Sequence, residues 1–282
     1  MTRPNLEQAS ESDASLEMTP LEDRAVEKKA VQKKDLLLSV NIDHIATLRE
    51  ARQSPYPDPV EAARIAEKTG AKGITAHLRC DRRHIQDDDV RRLRQSVEGK
   101  LNLEISMAEE MLKLAEEIRA DQVTLVPERP EEVTTEGGLD VIKGRDTIQL
   151  AASRLVAVGS AVSIFLDPDM EQLKALASFD RELIPGFEIN TDAYTKAFLE
   201  GPEAAAPEMD KIRRVAETGA ELGFAVFAGH GITTQNVAEI AALPQVEELN
   251  IGHWLVSRAA MVGMASSVQE MLDAMAAGRA KA

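Results

Sequence analysis

The chain has 282 residues and a formal net charge of −15, with 44% hydrophobic residues, 3% aromatics and one cysteine. That length allows one large domain or two small ones, and α/β barrels of about 250 residues fold as one. The acidic balance argues against a nucleic-acid ligand, which needs a broad basic surface, but leaves open a small phosphorylated ligand in a locally positive pocket. The lone Cys80 excludes an intrachain disulfide and fits a reducing, cytoplasmic setting. No apolar run approaches the roughly 20 residues that span a bilayer, and the opening stretch lacks the basic start and apolar core of a signal peptide, so no membrane partner is expected.

Residues 1–34 are polar and charge-mixed, and read as a disordered or weakly helical extension. From Asp35 onward the texture changes, and 35–282 is expected to form a single catalytic domain. Eight apolar runs read as strands: LLLSVNI around 37–42, GITAH (73–77), LNLEI (101–105), QVTLV (122–126), AVSIFL (161–166), GFEI (186–189), FAVFA (224–228) and ELNI (248–251). Between them, segments such as DPVEAARIAEKTG, AEEMLKLAEEIRA and PEMDKIRRVAETGAELG carry apolar residues three and four apart, with Gly70, Gly159 and Gly223 placed as left-handed caps. Strand alternating with helix eight times predicts a closed (β/α)8 TIM barrel with extra helices. An open dinucleotide-binding sheet is disfavoured because no GxGxxG follows the first strand. Two connections look long: PERPEEVTTEGGLDVIKG after the fourth strand and NTDAYTKAFLEGPEAAA after the sixth. Loops of that length are commonly functional, and in the first Gly137–Gly138 offers a hinge and Thr134 and Thr135 offer hydroxyls.

Chemistry concentrates where the strands end. In order the ends supply Asn41, Asp43 and His44; His77 and Arg79; Glu104; Pro127 and Glu128; Asp167; Glu188 and Asn190; His230; and His253. A barrel brings such residues to one mouth. A strand-end histidine in an arbitrary protein is more often structural, yet four of eight strands ending this way suits repeated proton transfer near neutral pH. Alternation places Asn102 and Glu104 on one face and Leu101, Leu103 and Ile105 on the other; whether Glu104 faces the barrel interior or pairs with a helix is left even. If it faces the mouth, partial burial makes it a usable base. The glycine turns AGHG (228–231) and NIGH (250–253) end strands seven and eight, the usual phosphate site of a barrel. Arg49, Arg52, Arg79, Arg82 and Arg83 crowd the early loops, with Arg79 the best candidate for a ligand contact. Cys80 reads as a spectator thiol, and Trp254 as a packing residue.

The segments NIDHIATLREAR (41–52), YPDPVEAA (56–63), GITAHLRCDRRHI (73–85), LNLEIS (101–106), LVPERPEEVTTEGGLDV (125–141), AGHGIT (228–233) and LNIGH (249–253) together closely resemble the pyridoxine 5′-phosphate synthase family. The resemblance runs from about Leu36 to the C-terminus. It implies cofactor-free condensation of 3-amino-2-oxopropyl phosphate with 1-deoxy-D-xylulose 5-phosphate, releasing pyridoxine 5′-phosphate, phosphate and water. It further implies His77 and Glu104 as proton acceptors and His230 as a proton donor. Substrate contacts implied in the same way are Asn41, Asp43, His44, Arg52, Arg79, His84, Thr134, Gly231, Gly252 and His253. No metal is implied, and the family assembly is a homo-octamer of dimers.

The sequence also departs from the family. After strand six the family usually reads Glu-His-Thr-Gly followed by a tyrosine, whereas here Glu188 and Ile189 lead to Asn190, Thr191 and Asp192, then Tyr194. The 34-residue extension is unusual as well. Two rival functions stay open: a metal-dependent hydrolase using Asp43, His77, His230 and His253, and a non-catalytic phosphate-ligand binder. Against the hydrolase, Asp43 and His44 are sequence neighbours, which on a strand point to opposite faces.

Overall fold

The structure is a computed structural model that describes residues 35–128 and 137–282. Thr134 and Thr135 therefore lie outside the described residues, as does the extension 1–34. The first strand, β1 (Leu37–Asn41), runs into helix α1 (Asp43–Glu50), and α2 (Pro59–Thr69) leads to β2 (Gly73–His77). Next come α3 (Asp87–Ser96), β3 (Lys100–Ile105), α4 (Glu109–Ile118) and β4 (Gln122–Leu125). Then follow α5 (Arg145–Ala157), β5 (Ala161–Leu166), α6 (Met170–Leu176), β6 (Gly186–Asn190), α7 (Asp192–Glu200) and α8 (Pro202–Glu221). The chain closes with β7 (Ala225–Gly229), α9 (Val237–Ala241), β8 (Val246–Ile251), α10 (His253–Val262) and α11 (Met264–Arg279).

The eight strands pair in parallel, each with its sequence neighbours, and β8 closes on β1. The expected (β/α)8 barrel with extra helices is what the chain forms. Local signals set the element starts. Asp58 accepts a hydrogen bond from the Val60 amide, with Pro59 in the first helical position of α2, and Gly70 ends that helix at φ +127°. Asp169 caps α6 by accepting from the Glu171 and Gln172 amides. Three aspartates fill the first turn of α3, where the helix dipole favours negative charge.

One parity of each strand faces the helices and is apolar: Leu38 and Val40, Leu101, Leu103 and Ile105, Val162 and Ile164, Phe187 and Ile189 are all essentially inaccessible to water. The other parity faces the barrel axis and is largely polar, with Phe165 on β5 and Phe227 on β7 as apolar exceptions. Registers align Thr75 with Asn102, Asn102 with Gln122 and Thr124 with Ser163. These side chains satisfy one another: Ser39 Oγ and Thr75 Oγ1 are 2.8 Å apart, Thr75 donates to Asn250 Oδ1 at 2.9 Å, and Thr124 donates to Asn102 Oδ1 at 2.8 Å. A buried polar ladder of this kind is tolerable because most of its members are hydrogen-bonded, Ser163 Oγ being the exception, with no partner among the described residues. It also explains the alternation of apolar and polar residues in LNLEI, since parallel strands buried on both faces otherwise read as continuous apolar runs.

Two expectations change. The segment after β6, read as a long loop, is helical: α7 starts directly after Thr191, turns Tyr194 and Thr195 into the core, and breaks at Gly201 before Pro202 opens α8. The strand also ends earlier than expected at β1, so Asp43 and His44 begin a helix instead of alternating across a sheet. Both face the mouth, and the argument that they point apart fails. No helix among the described residues is long and apolar enough to cross a membrane.

Candidate active site

At the C-terminal rim of the barrel a cavity is walled by Asn41, Asp43, His44, His77, Glu104, Phe165, Glu188, His230, Gly231, Asn250, Gly252, His253 and Trp254, with a few apolar neighbours. Eight of the predicted site residues thus converge with His230, which the strand-end reading required. Arg52, Arg79 and His84 are not among these walls.

His77 ends β2 in register with Glu104 on β3, which fixes Glu104 toward the interior and settles the face that alternation left even. His77 Nδ1 lies 4.0 Å from Glu104 Oε2. The backbone amide of His77 donates to Asp43 Oδ1 at 2.8 Å, and Asn41 Nδ2 donates to Asp43 Oδ2 at 2.9 Å, so Asp43 braces the ends of β1 and β2. Burial drives the His77 imidazole down to about 4, against the smaller opposing pull of Asp43. Burial likewise holds Glu104 well above the usual carboxylate range, reinforced by the neighbouring carboxyls of Glu188 and Asp43. His77 Nε2 is buried without a hydrogen-bond partner among the described residues, which leaves a nitrogen for a ligand or water to meet.

Glu188, on β6, takes a hydrogen bond from Asn250 Nδ2 at 2.7 Å. Burial nevertheless raises it to about 8, so near neutral pH it is largely a protonated carboxyl. The sequence reading placed Glu188 at a strand end but gave it no role; its buried parity, shared with Glu104, is the signal that could have singled it out. Phe165 was missed altogether, being indistinguishable from a core aromatic in sequence. Trp254, read as a packing residue, both packs against the core and lines the cavity.

His230 follows β7 with φ +84°, a left-handed backbone that costs a non-glycine residue on the order of 1–3 kcal/mol. Its ring lies 6.3 Å from that of Phe165, and burial lowers its pKa. Across the mouth, His44 and His253 stack edge to face with centroids 5.1 Å apart, and burial lowers His44 too. Three neutral imidazoles and two proton-holding carboxyls on one cavity can accept and return protons without any group leaving its preferred state by much. Beside them, α10 begins at His253, and its first amides have no acceptor within the helix. Gly252 lies against Asn41, and a Cβ there would come within 3.0 Å of that side chain.

The early-loop arginines are mostly committed elsewhere. Arg49 makes a buried bidentate pair with Asp89 at 2.6 and 2.7 Å, Arg82 pairs with Asp87 and Glu110, and Arg83 pairs with Asp81. Arg79 is 2% exposed, with Nε 3.3 Å from Asp81 and Nη2 3.8 Å from Glu128. Arg52 is exposed beyond the end of α1. His84 is buried behind His77, its ring 6.1 Å away, and its Nδ1 accepts from the Ile85 amide. Cys80 Sγ contacts Ser106 Oγ at 3.3 Å, and partial burial raises its pKa, which keeps it a thiol and matches the spectator reading.

Among the described residues the donor atoms that converge as a metal-sized set belong to Asp43, His77 and Glu104, all within 4.8 Å of one another. His230 and His253 do not join that set, so the ligand set of the hydrolase reading does not form. A cation there would compete with the two hydrogen bonds that already hold Asp43.

Compared with known proteins, residues 38–277 match the family model described as pyridoxal phosphate biosynthesis protein PdxJ. Among solved structures, the barrel resembles the Amycolatopsis orientalis BexX/CysO complex, with TM-score 0.57 and 17% identity over 90% of this chain and 93% of that one. It also resembles the tryptophan synthase A-subunit of Pyrococcus furiosus, with TM-score 0.56 and 12% identity over 84% and 97% of the two chains. At such identities these structures speak for the fold alone.

Proposed function

The chain belongs to the PdxJ family of pyridoxal phosphate biosynthesis proteins, and from that membership we propose that it condenses 3-amino-2-oxopropyl phosphate with 1-deoxy-D-xylulose 5-phosphate. The family is that of pyridoxine 5′-phosphate synthase, an enzyme of vitamin B6 biosynthesis whose substrates are small and phosphorylated. The products in this proposal are pyridoxine 5′-phosphate, inorganic phosphate and water. The observation that carries it is the pair of His77 and Glu104, 4.0 Å apart, at one mouth with His230.

Addition of an amine to a ketone, loss of water, elimination of phosphate and aldol-type closure each move protons. His77, neutral at working pH, and Glu104, once ionised, serve as proton acceptors. His230 returns a proton to a leaving oxygen. Asp43 and Asn41 orient His77 and, with His44 and His253, hold the polar groups of the substrates. The free amides at the start of α10, with Gly252 and Gly231 nearby, hold a substrate phosphate. Arg52, Arg79, His84 and Thr134 are proposed as further substrate contacts on the family resemblance. The chemistry calls for no cofactor and no metal.

The catalytic unit in this reading is 35–282, in the cytoplasm and assembled as a homo-octamer, with the preceding 34 residues dispensable for turnover. The test is formation of pyridoxine 5′-phosphate and phosphate from the two substrates by purified protein treated with a chelator. Product under those conditions supports the proposal. Folded protein that binds 1-deoxy-D-xylulose 5-phosphate without forming product would leave the binder reading in its place.

A further inference from the structure

His230 is held in an unfavourable backbone conformation, and the structure shows what holds it. Its φ is +84°, and Gly231 continues at φ +72°. Immediately opposite, Thr191 sits between β6 and α7, fully buried. The Thr191 amide donates to the Gly229 carbonyl at 2.9 Å. The Thr191 hydroxyl reaches two carbonyls, Gly229 at 2.8 Å and His230 at 2.5 Å. Since the Gly229 carbonyl already has the amide, the His230 carbonyl is the acceptor that depends on the hydroxyl. One turn along α7, Thr195 backs the same bend: its amide donates to the Thr191 carbonyl at 2.9 Å, and a Cβ on Gly231 would fall 2.1 Å from its Oγ1.

We propose that Thr191 is a positioning residue for His230, its hydroxyl fixing the left-handed turn that aims the imidazole into the mouth. The inference rests on the reading of His230 as a proton-transfer group, and it concerns a residue that is not among the described walls of the cavity. The altered sequence of this turn, with Asn190 and Asp192 on either side, keeps the threonine. Asn190 is tied to Asp167 at 2.9 Å and to the Asp192 amide at 3.0 Å, so neither neighbour of Thr191 can take over its hydroxyl's role from where it stands.

The experiment compares Thr191→Val and Thr191→Ser, each in the wild-type chain and in His230→Asn, measuring kcat, KM and thermal unfolding, together with an NMR titration of the His230 ring. Thr191→Val is expected to lower kcat about tenfold or more with KM within about threefold, and Thr191→Ser to restore most of the rate. In the His230→Asn background the valine change is expected to cost less than about twofold, because residues acting through one another are non-additive. A Thr191→Val enzyme with wild-type kcat, or a tenfold loss that persists in His230→Asn, would overturn the proposal. Should Thr191→Val not fold, Thr191→Ala replaces it. If the wild-type chain forms no product, the functional reading fails on its own, and the His230 titration still decides: an unchanged imidazole pKa in folded Thr191→Val counts against positioning.

Discussion

His77 and Glu104 stand opposite each other with complementary habits, the imidazole neutral down to about pH 4 and the carboxyl protonated well above its ordinary range. A carboxyl so placed ionises closer to neutral pH, which is what a general base requires. Glu104→Gln keeps the shape and removes the proposed base; it is expected to lower kcat by about 10²-fold or more, with an unchanged circular dichroism spectrum. Near-normal turnover in that variant would remove Glu104 from the mechanism. His230→Asn is expected to depress kcat more than it raises KM, whereas a pure KM effect would make His230 a ligand-holding group. Glu188 gives a stability prediction of its own. It ionises near 8 in the fold against 4.5 for an ordinary glutamate, so between those values the native state keeps a proton that the unfolded chain has released. Stability must then fall as pH rises through that window. His77, lowered to about 4 from 6.5, works the other way, but only below 6.5. From pH 6.5 to 8 the Glu188 effect stands alone among these two, and the unfolding midpoint should decline. Glu188→Gln should flatten the decline; a slope that Glu188→Gln leaves untouched would assign it to other groups.

At the scale of elements, the sequence was most readable where one face of a strand or helix is apolar. The alternation in LNLEI marks β3 because Leu101, Leu103 and Ile105 pack outward while Lys100, Asn102 and Glu104 line a polar interior. The same pattern could not say which face was inside, since a polar face toward solvent reads identically; the neighbouring strands decided it. Residues 190–206 misled because Gly201 and Pro202 resemble loop punctuation, whereas Gly201 separates α7 from α8 and Pro202 occupies the first turn of the second. Asp43 and His44 were misjudged because β1 stops at Asn41 and a helix follows at once, a change of period invisible in NIDH. The arginine cluster read as ligand-binding is largely spent on Asp89, Asp81, Asp87 and Glu110, partners whose proximity only the fold reveals. Where the long connection after β4 rejoins the barrel, Gly138 lies so close to β5 that a Cβ would stand 2.2 Å from the Asp167 amide nitrogen. Gly138→Ala is therefore expected to destabilise the protein by about 1–3 kcal/mol, read as a lower denaturation midpoint. An unchanged midpoint would mean that the foot of this connection yields freely.

For the whole molecule, the strand order from β1 to β8 gathers residues spread from Asn41 to Trp254 onto one rim. A chain of net charge −15 can still hold phosphorylated ligands there, because glycine turns and free helix amides supply local positive potential independent of the total. Deleting residues 2–33 is expected to leave kcat within about twofold, since among the described residues the walls of the site come from the barrel strands and the turns that follow them; loss of most activity in a folded truncated protein would give the extension a part in catalysis. The most direct measurement is a single assay on purified, chelator-treated protein supplied with 3-amino-2-oxopropyl phosphate and 1-deoxy-D-xylulose 5-phosphate. Pyridoxine 5′-phosphate and inorganic phosphate released together, one for one, are the predicted result. Folded protein that yields neither product, or that yields them only when a divalent metal is restored, would contradict metal-free acid–base ring closure at this mouth.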